Sequence, residues 1–202
     1  YNSVEIDYIL LSQMLEERKK RTSEKIKFMY AGRLVYIKGV RQMIEAFSKL
    51  NNPNCQLRIC GTGEMVEYVK EQALKDSRIV YCGKLTSEEL AEEYKANDVL
   101  LFPSVWPEPF GRVFIEGNMY GLPVIAGNCG GIPEIYSITH AGDLCDCNDV
   151  DELCKIMYRY SDRSFLRACC KDIEKSITQF DIERQIASFE KIYAKIKSEA
   201  AI

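Results

Sequence analysis

The sequence contains few of the residue patterns that hold metal ions in proteins. It has one histidine, His140, and none of its nine cysteines belongs to the C-x2-C pair typical of a structural zinc site. Cys145 and Cys147 are one residue apart, and Cys169 is next to Cys170. The odd number and the scattered positions also differ from a secreted disulfide framework. We therefore predict no metal site and mostly structural, reduced cysteines, as is typical of a cytosolic protein.

Long apolar runs and an excess of one charge are also absent from the sequence. No apolar run approaches the roughly 20 residues that cross a bilayer, and no secretory signal opens the chain. Twenty-seven Lys and Arg against thirty Asp and Glu give a net charge of −3, without the basic excess of a generic nucleic-acid binder. We expect a cytoplasmic protein that does not bind nucleic acid. Because the chain begins at Tyr1 rather than Met, a processed product or an excised piece is expected.

What the sequence does contain is an alternation of strand and helix patterns. Nearly continuous apolar runs are typical of strands covered on both faces, and six such runs are Ile26–Ala31, Gln56–Cys60, Arg78–Cys82, Asp98–Phe102, Leu122–Ala126 and Gly142–Cys145. Amphipathic helical stretches lie between them, for example from Val40 to Phe47 and from Val150 to Met157. The alternation predicts an α/β fold with a doubly wound parallel sheet. In these runs Cys60 and Cys82 are expected to act as small hydrophobes.

The two ends of the chain differ from this pattern, so we divide the 202 residues into 1–25, 26–175 and 176–202. The first part is predicted to be an interdomain segment ending in a basic run, residues 18–21, on a solvated helix end beside Glu16 and Glu17. A membrane-surface or phosphate-binding role is the alternative for that run. The last part is predicted to be an amphipathic helix. Its apolar stripe, Ile182, Ile186, Phe189, Tyr193 and Ile196, should pack on the sheet domain or on a partner domain absent from the chain.

The loop after the first predicted strand is a candidate phosphate site. Gly32 permits close approach of the backbone, and Arg33 and Lys38 stand just before a predicted helix N-terminus. Positive charge at that end opposes the helix dipole, whereas a bound anion would reverse the penalty. Two solvent-exposed cations remain the alternative interpretation of this loop.

Two further glycine-containing loops do not complete known nucleotide motifs. After Gly61-Thr62-Gly63, a dinucleotide fingerprint requires a third glycine where Val66 stands. Gly83-Lys84 is followed by Leu85 instead of Ser or Thr, and it lacks the upstream glycine of a P-loop. A Rossmann-type nicotinamide or flavin site and a P-loop are both poorly supported.

The richest segment runs from Pro103 to Gly131. Two prolines and the single tryptophan stiffen the loop around Glu108, and a helix is predicted to begin near Gly111. Glu108 and Glu116 can grip different parts of one long ligand, since carboxylates are good acceptors for sugar hydroxyls. The alternative for Glu108 is a negative charge that interacts favourably with the dipole of this helix and binds no ligand. Glu116 lies in an apolar stretch, where an unpaired carboxylate would be costly.

The sequence 108–116, Glu-Pro-Phe-Gly-Arg-Val-Phe-Ile-Glu, resembles the E-x7-E motif of family 4 (group 1) retaining glycosyltransferases. The resemblance extends over residues 26–145 in consistent order and includes Gly32-Arg33, Lys38-Gly39, Asn97–Ser104, Gly121–Val124 and Gly130–Glu134. Residues 1–7 resemble the segment that follows the first domain of such enzymes. The resemblance implies the Rossmann-like, C-terminal, donor-binding domain of a GT-B enzyme. Such an enzyme transfers a sugar from a nucleoside-diphosphate sugar to an acceptor in glycan, polysaccharide or glycolipid biosynthesis.

The family's motif also implies roles for individual residues. Arg33 and Lys38 would hold the donor diphosphate and stabilise the leaving group in place of a metal, so no metal and no cofactor beyond the donor substrate are implied. Glu108 would bind donor-sugar hydroxyls, and Glu116 would bind the ribose. The remaining implied contacts are Gly32, the stretch around Cys82 near the nucleobase, Pro109, and the backbone N–H groups of Phe110, Gly111 and Arg112.

The resemblance also implies a missing partner. The N-terminal GT-B domain would supply the acceptor site, so this chain is expected to bind donor without transferring sugar at a useful rate. Peripheral contact with the inner face of a membrane is open for the full-length protein. Two alternatives remain: a non-catalytic nucleotide-sugar-binding module, and an epimerase acting on UDP-sugars, which the E-x7-E spacing and the Arg33/Lys38 pair argue against. The sequence does not specify the nucleobase, the sugar, the acceptor or the oligomeric state.

Overall fold

The computed structural model describes residues 4–199, apart from the side chains of residues 170–172, 174–176, 198 and 199. Residues 1–3, which begin the predicted interdomain segment, lie outside that description. Six parallel strands form one sheet in the described part of the chain, in the order β3-β2-β1-β4-β5-β6. The strands are β1 Ile26–Ala31, β2 Cys55–Cys60, β3 Ile79–Gly83, β4 Val99–Phe102, β5 Val124–Gly127 and β6 Gly142–Cys145. The predicted α/β fold with a doubly wound parallel sheet is confirmed.

Helices cover both faces of the sheet. They are α1 Tyr8–Lys20, α2 Val40–Lys49, α3 Val66–Lys75, α4 Ser87–Ala96, α5 Arg112–Met119, α6 Ile132–Thr139, α7 Val150–Tyr160, α8 Arg163–Ser176 and α9 Ile182–Glu199, with short 3-10 turns at Tyr36–Lys38 and Ile177–Phe180. Side chains alternate across β1, so Phe28 and Tyr30 belong to the core under α2 and α7. Met29 belongs to the opposite core with Phe114 of α5. Both faces are therefore buried, which explains the nearly continuous apolar strands.

The observed strands differ from the predicted ones by at most two residues at either end. β1 and β6 agree with the predicted bounds, whereas β5 begins at Val124 rather than Leu122. Proline has no N–H for the sheet ladder, so the chain at Pro123 offers only its carbonyl, which accepts from the Leu100 N–H at 3.0 Å. The helices predicted from Val40 and Val150 begin at those residues.

The basic run at the end of α1 corrects the prediction of a solvated helix end. Arg18 is 6% exposed, and its guanidinium donates to the carbonyl oxygens of Tyr94, Asn97 and Tyr120 at 2.5–3.0 Å. Arg21 donates to Asp98 at 2.8 Å. The last carbonyls of a helix have no partner inside it, and Arg18 satisfies those of α4. Two of the four cations are therefore structural, and α1 packs on the sheet domain through this contact and its apolar face.

The C-terminal residues divide into a buried and an exposed part. Ile177 and Phe180 lie in the core, so the packing of the sheet domain extends to Phe180, past the predicted boundary at 175/176. The apolar stripe of α9 is exposed, with Phe189 at 52% and Tyr193 at 65%. The alternative that this stripe packs on the sheet domain is therefore wrong, while packing on another domain stays a prediction. No helix within residues 4–199 is long and apolar enough to span a membrane.

Candidate active site

The strand order places a ligand crevice between β1 and β4. β1 pairs with β2 on one side and with β4 on the other, so the chain winds in opposite directions from this point. In open parallel sheets, ligands bind at such a switch point, beyond the carboxyl ends of the strands. The loop after β1 carries Arg33 and Lys38, and the loop after β4 carries Glu108. The topology alone thus brings together the two loops that the sequence analysis singled out.

The loop after β1 is held by a buried tyrosine. Tyr30 points into the core, and its hydroxyl donates to the Arg33 carbonyl at 2.7 Å. Burial, and after it the negative charge of Glu108, raises the pKa of the Tyr30 phenol above its ordinary value. A Cβ on Gly32 would stand 3.0 Å from the Tyr30 oxygen, a tight contact. Tyr30 therefore holds the loop from the core side, while the Arg33 side chain is exposed at the surface.

Lys38 and Glu108 form an ion pair across the switch point, although they are 70 residues apart in the sequence. The two side chains are only 18% and 12% exposed. The same Glu108 oxygen accepts from the Ser104 hydroxyl at 2.8 Å. The family motif implies that Lys38 binds the diphosphate and Glu108 the sugar, and it predicts no contact between the two side chains. The structure therefore brings a residue predicted to bind phosphate into contact with a residue predicted to bind the sugar.

A pair of glycines holds the loop that carries Glu108. The Gly131 N–H donates to the Glu108 carbonyl at 2.7 Å. A Cβ on Gly130, whose φ is +60°, would lie 2.4 Å from that carbonyl oxygen and 2.5 Å from the Glu108 nitrogen. Only glycine fits this position, since it lacks a Cβ and adopts positive φ at little cost. The Gly130-Gly131 pair thus positions Glu108, a role that the sequence analysis did not assign.

The start of α5 supplies the second carboxylate and free helix N–H groups. Gly111 occupies the N-cap with a φ of +69° and provides no side-chain cap. The first N–H groups of a helix have no partner inside the helix, so α5 offers donors at this end. One turn further, Glu116 accepts from the Arg112 guanidinium at 3.0 Å. Glu116 is therefore paired with Arg112 rather than stranded in an apolar stretch.

A cleft of about 350 Å³ at this edge is lined by residues at the ends of β1 and β2, in the loops after β1, β2 and β3, and on helices α4 and α5, whereas Lys38 and Glu108 lie outside its lining. It is bounded by Gly32, Arg33, Cys60, Gly61, Thr62, Lys84, Leu85, Leu90, Tyr94, Val113 and Glu116. Tyr94 is 3% exposed, and its buried hydroxyl has no hydrogen-bond partner within the described chain. Burial, followed by the charge of Glu116, raises the pKa of that phenol above its ordinary range. The spacing of Tyr94 in the sequence is that of an apolar helix face, so no sequence signal indicated a polar group of the site here.

Some predicted site residues lie outside the lining of this cleft. The Cys82 thiol lies beside Cys60 and Glu93, and the residues after it, Lys84 and Leu85, line the wall instead. The stretch around Cys82 thus reaches the cleft through Lys84 and Leu85, and its contact with the nucleobase stays a prediction. The Phe110 ring packs edge-on against Phe180, with centroids 6.1 Å apart. For Pro109, Phe110, Gly111 and Arg112, binding through the backbone stays a prediction.

Residues 13–174 match the family model described as "Glycosyl transferases group 1", and the chain belongs to this family of glycosyltransferases. Its fold is that of the C-terminal domain of a GT-B glycosyltransferase, which confirms the resemblance seen in the motifs. The transferase class is therefore established for the family to which the chain belongs.

Individual relatives agree with this assignment. An uncharacterized 41.2 kDa protein in the cps region of Klebsiella pneumoniae is 33% identical over 162 residues, which are 78% of this chain and 43% of that protein. The N-acetyl-alpha-D-glucosaminyl L-malate synthase of Bacillus anthracis is 27% identical over 190 residues, 91% of this chain and 49% of that enzyme. The chain thus spans less than half the length of these two relatives.

Solved structures show the same fold. Anabaena HepE in complex with UDP and glucose has a TM-score of 0.74 at 22% identity, over 98% of this chain and 56% of that chain. The C-terminal domain of the group 1 glycosyl transferase LpcC from Francisella tularensis has a TM-score of 0.69 at 23% identity, over 84% of this chain and 92% of that one. The chain therefore corresponds to one domain of a larger architecture.

Proposed function

We propose that this domain binds a nucleoside-diphosphate sugar in the cleft at the β1/β4 switch point, as the donor half of a retaining glycosyltransferase. The observation that carries the proposal is that Arg33 and Glu116 line this cleft, while the Lys38–Glu108 ion pair joins the loops after β1 and β4 at the same switch point. UDP in the HepE complex, a structure of the same fold, supports the choice of ligand class. The nucleobase and the sugar are left to experiment.

Each charged group has a chemical task in this proposal. The diphosphate would take Arg33 and Lys38 as counter-charges, and the Lys38 ammonium would exchange its contact with Glu108 for the phosphate. Glu108, released from Lys38, would accept hydrogen bonds from the donor-sugar hydroxyls. Glu116 would accept from the ribose, with the buried Tyr94 hydroxyl behind it. Both carboxylates are acceptors only, which suits ligands rich in hydroxyl groups.

The two cations also supply what the reaction requires. As the bond from the anomeric carbon to the phosphate oxygen breaks, negative charge grows on the leaving nucleoside diphosphate. Fixed positive groups and helix N–H donors stabilise that charge without reorganising. Arg33, Lys38 and the start of α5 can provide this stabilisation, so we propose metal-independent transfer. Attack by the acceptor hydroxyl on the face from which the phosphate departs would retain the anomeric configuration.

Thermal unfolding of this chain with UDP, GDP, ADP and their sugar conjugates tests donor binding. A ligand at 100 times its Kd adds about 2.7 kcal/mol to the free energy of unfolding. For a chain of this size, that raises Tm by about 2–4 °C per kcal/mol. We expect one nucleotide series to give this shift, and Arg33→Ala and Glu116→Ala to remove it.

Matched controls come from α2. Glu45 forms an i,i+4 pair with Arg41, as Glu116 does with Arg112, but neither residue of the α2 pair lines the cleft. Arg41→Ala and Glu45→Ala should keep the full shift in Tm. Equal loss in the control and test variants would contradict the proposed site, and so would a folded parent chain that responds to no nucleotide.

The full-length protein is proposed to transfer sugar, whereas this chain alone is not. Positioning two substrates contributes much of the rate of a bimolecular reaction, and the chain covers less than half of its relatives. Transfer of labelled sugar to an acceptor should be found with the full-length protein and be absent with the 202-residue chain. Transfer by the chain alone would refute this part. Donor binding without transfer by the full-length protein would favour the non-catalytic binding module. The cytoplasmic location and peripheral membrane contact stay predictions.

A further inference from the structure

Two thiols and a carboxylate meet behind one wall of the cleft. Cys60 ends β2 and is buried, Cys82 lies in β3 and is half-buried, and Glu93 reaches them from α4. The two sulfur atoms and one Glu93 oxygen all lie within 4.8 Å of one another. The pairing of β2 with β3 shifts register between Ile59 and Cys60. After this shift Gly83 pairs with Cys60, and Cys82, the residue before Gly83, keeps its thiol close to that of Cys60.

We propose that Cys60, Cys82 and Glu93 bind a thiophilic divalent cation of the zinc class, with water as the fourth ligand on the side of the half-exposed Cys82. Two thiolates and one carboxylate are ligands that suit a four-coordinate Zn²⁺ ion, and soft sulfur ligands disfavour Mg²⁺ and Ca²⁺. This site was not expected from the sequence, because Cys60 and Cys82 are 22 positions apart and belong to no C-x2-C pair.

Hydrogen bonds from neighbouring side chains already orient the Glu93 carboxylate. Arg58 donates to both oxygens of Glu93, at 2.6 Å to Oε2 and 2.5 Å to Oε1, and Asn97 donates to Oε2 at 3.0 Å. A carboxylate has about four acceptor positions, so one on Oε1 is left for a cation. Such outer hydrogen bonds are typical of metal ligands and fix their orientation.

The charges also balance. While both thiols are protonated, the negative charge of Glu93 and the positive charge of Arg58 cancel. If a divalent cation replaces the two thiol protons, the cation offsets two thiolates, and the cluster stays neutral in its half-buried position.

The cation would be structural and would take no part in sugar transfer. The loops after β2 and β3 carry Gly61, Thr62, Lys84 and Leu85, which line one wall of the cleft. A cation bound across the two strand ends would hold these loops together. Its binding can be measured without any nucleotide, so the inference does not depend on the proposed function.

Titration of the reduced, chelator-treated chain with Co²⁺ tests the site. We expect one equivalent to bind, with the absorption of a tetrahedral ion and a sulfur-to-cobalt band of two thiolates, and Zn²⁺ to displace it. Cys82→Ser should abolish the sulfur band or reduce it to that of one thiolate. Glu93→Gln should weaken binding by at least the roughly 10-fold that loss of an outer-shell partner costs.

The control is a second thiol pair. Cys145 and Cys147 have their sulfur atoms 3.5 Å apart near the end of β6, so Cys147→Ser removes one thiol of a buried pair outside the cluster and should leave Co²⁺ binding unchanged. Should Cys82→Ser fail to fold, mass spectrometry of the parent chain must show Cys60 and Cys82 protected from alkylation by bound Cd²⁺. Cobalt binding that is lost with Cys147→Ser and kept with Cys82→Ser would overturn the proposal. A reduced chain that binds no cobalt and forms a Cys60–Cys82 disulfide in air would do so as well.

Discussion

The amino edge of the sheet, where the strands begin, and the carboxyl edge, where they end, use the same types of charged residue for different purposes. At the amino edge, Asp98 precedes β4, and its side chain is 4% exposed. It accepts from Arg21 at 2.8 Å, from Arg163 at 2.5 Å and from the Lys27 N–H at 2.9 Å. Arg163 also donates to the carbonyl oxygens of Ser23 and Lys25. Within the described chain, this carboxylate has several partners that are all supplied by the fold.

The carboxyl edge keeps its charges in simpler arrangements. Lys38 and Glu108 have each other, with Ser104 as a further donor, and Arg33 is exposed. The helices that begin here after β1 and β4 have glycine N-caps, Gly39 and Gly111, without a side-chain cap. In contrast, the Asp162 carboxylate caps α8 near the amino edge. Donors and cations left without a fixed partner are a cost to stability that a bound anion would remove.

The comparison indicates that charge stabilises the fold at the amino edge and serves a ligand at the carboxyl edge. The largest effect that we expect on stability is therefore at Asp98. Asp98→Ala removes the shared partner of two guanidinium groups, and breaking a buried pair costs about 3–5 kcal/mol. Urea unfolding should show this loss, with a Tm lower by about 2–4 °C per kcal/mol.

Asp151 provides the control for Asp98. Its side chain is 70% exposed and pairs with Lys49 at 2.7 Å. Exposed pairs contribute about 0–1 kcal/mol, so Asp151→Ala should change the free energy of unfolding by no more than that. If the two aspartates cost the same, the contrast between a buried network and surface charge would be wrong. Asp98→Asn, which keeps the shape and removes the charge, should fall between them.

An intermediate effect is expected from the Lys38–Glu108 pair. Lys38→Ala leaves a carboxylate that is 12% exposed without its cation. The double variant Lys38→Ala/Glu108→Ala should therefore be less destabilised than the sum of the two single variants. We expect an interaction free energy of about 1–3 kcal/mol from the double-mutant cycle in urea. The same cycle on Lys49 and Asp151 should give about 0.2–1 kcal/mol. Equal values for the two cycles would show that the site pair is an ordinary surface contact.

Much of the fold could be predicted from the sequence, because both signals on which it depends are local. Continuous apolar runs located the six strands within two residues, and the helical periodicity located α2 and α7 at their first residue. The loops of the site follow from the same information, since parallel strands present their carboxyl ends at one edge. Arg33, Lys38, Glu108 and Glu116 were found by this reasoning together with the family motif.

The rest of the site depends on contacts between distant residues, which periodicity does not encode. Tyr30 and Tyr94 have the spacing of core residues, and only the packed structure shows what their hydroxyl groups face. Arg18 lies in a basic run that resembles a solvated helix end, yet it binds carbonyl oxygens 76 to 102 residues away. Cys60 and Cys82 meet because β2 and β3 are neighbours in the sheet, which the sequence pattern alone does not specify. Each of these arrangements depends on tertiary packing between residues that are distant in the sequence.

The smallest expected effect is a pH dependence at the amino edge, at Asp76 before β3. Hydrogen bonds from the Arg78 guanidinium lower the pKa of the Asp76 carboxyl below its ordinary 3.8. The folded state therefore binds this proton less readily than the unfolded state. The stabilisation is complete above the unfolded pKa, near 3.8, and is lost as pH falls through the lower, folded pKa. Asp76→Asn should thus lower Tm at neutral pH and converge with the parent chain in acid.

Thermal unfolding from neutral to strongly acidic pH measures this difference. At neutral pH we expect about 1 kcal/mol, far below the effect at Asp98, because the pair is partly hydrated. Glu67→Gln, an exposed carboxylate on α3 that pairs only with Lys70 at 2.8 Å among the described contacts, should follow the parent within about 0.5 kcal/mol at every pH. A constant offset of Asp76→Asn down to the most acidic pH would assign its effect to lost hydrogen-bond geometry. In that case ionisation of Asp76 would contribute nothing to the stability of the amino edge.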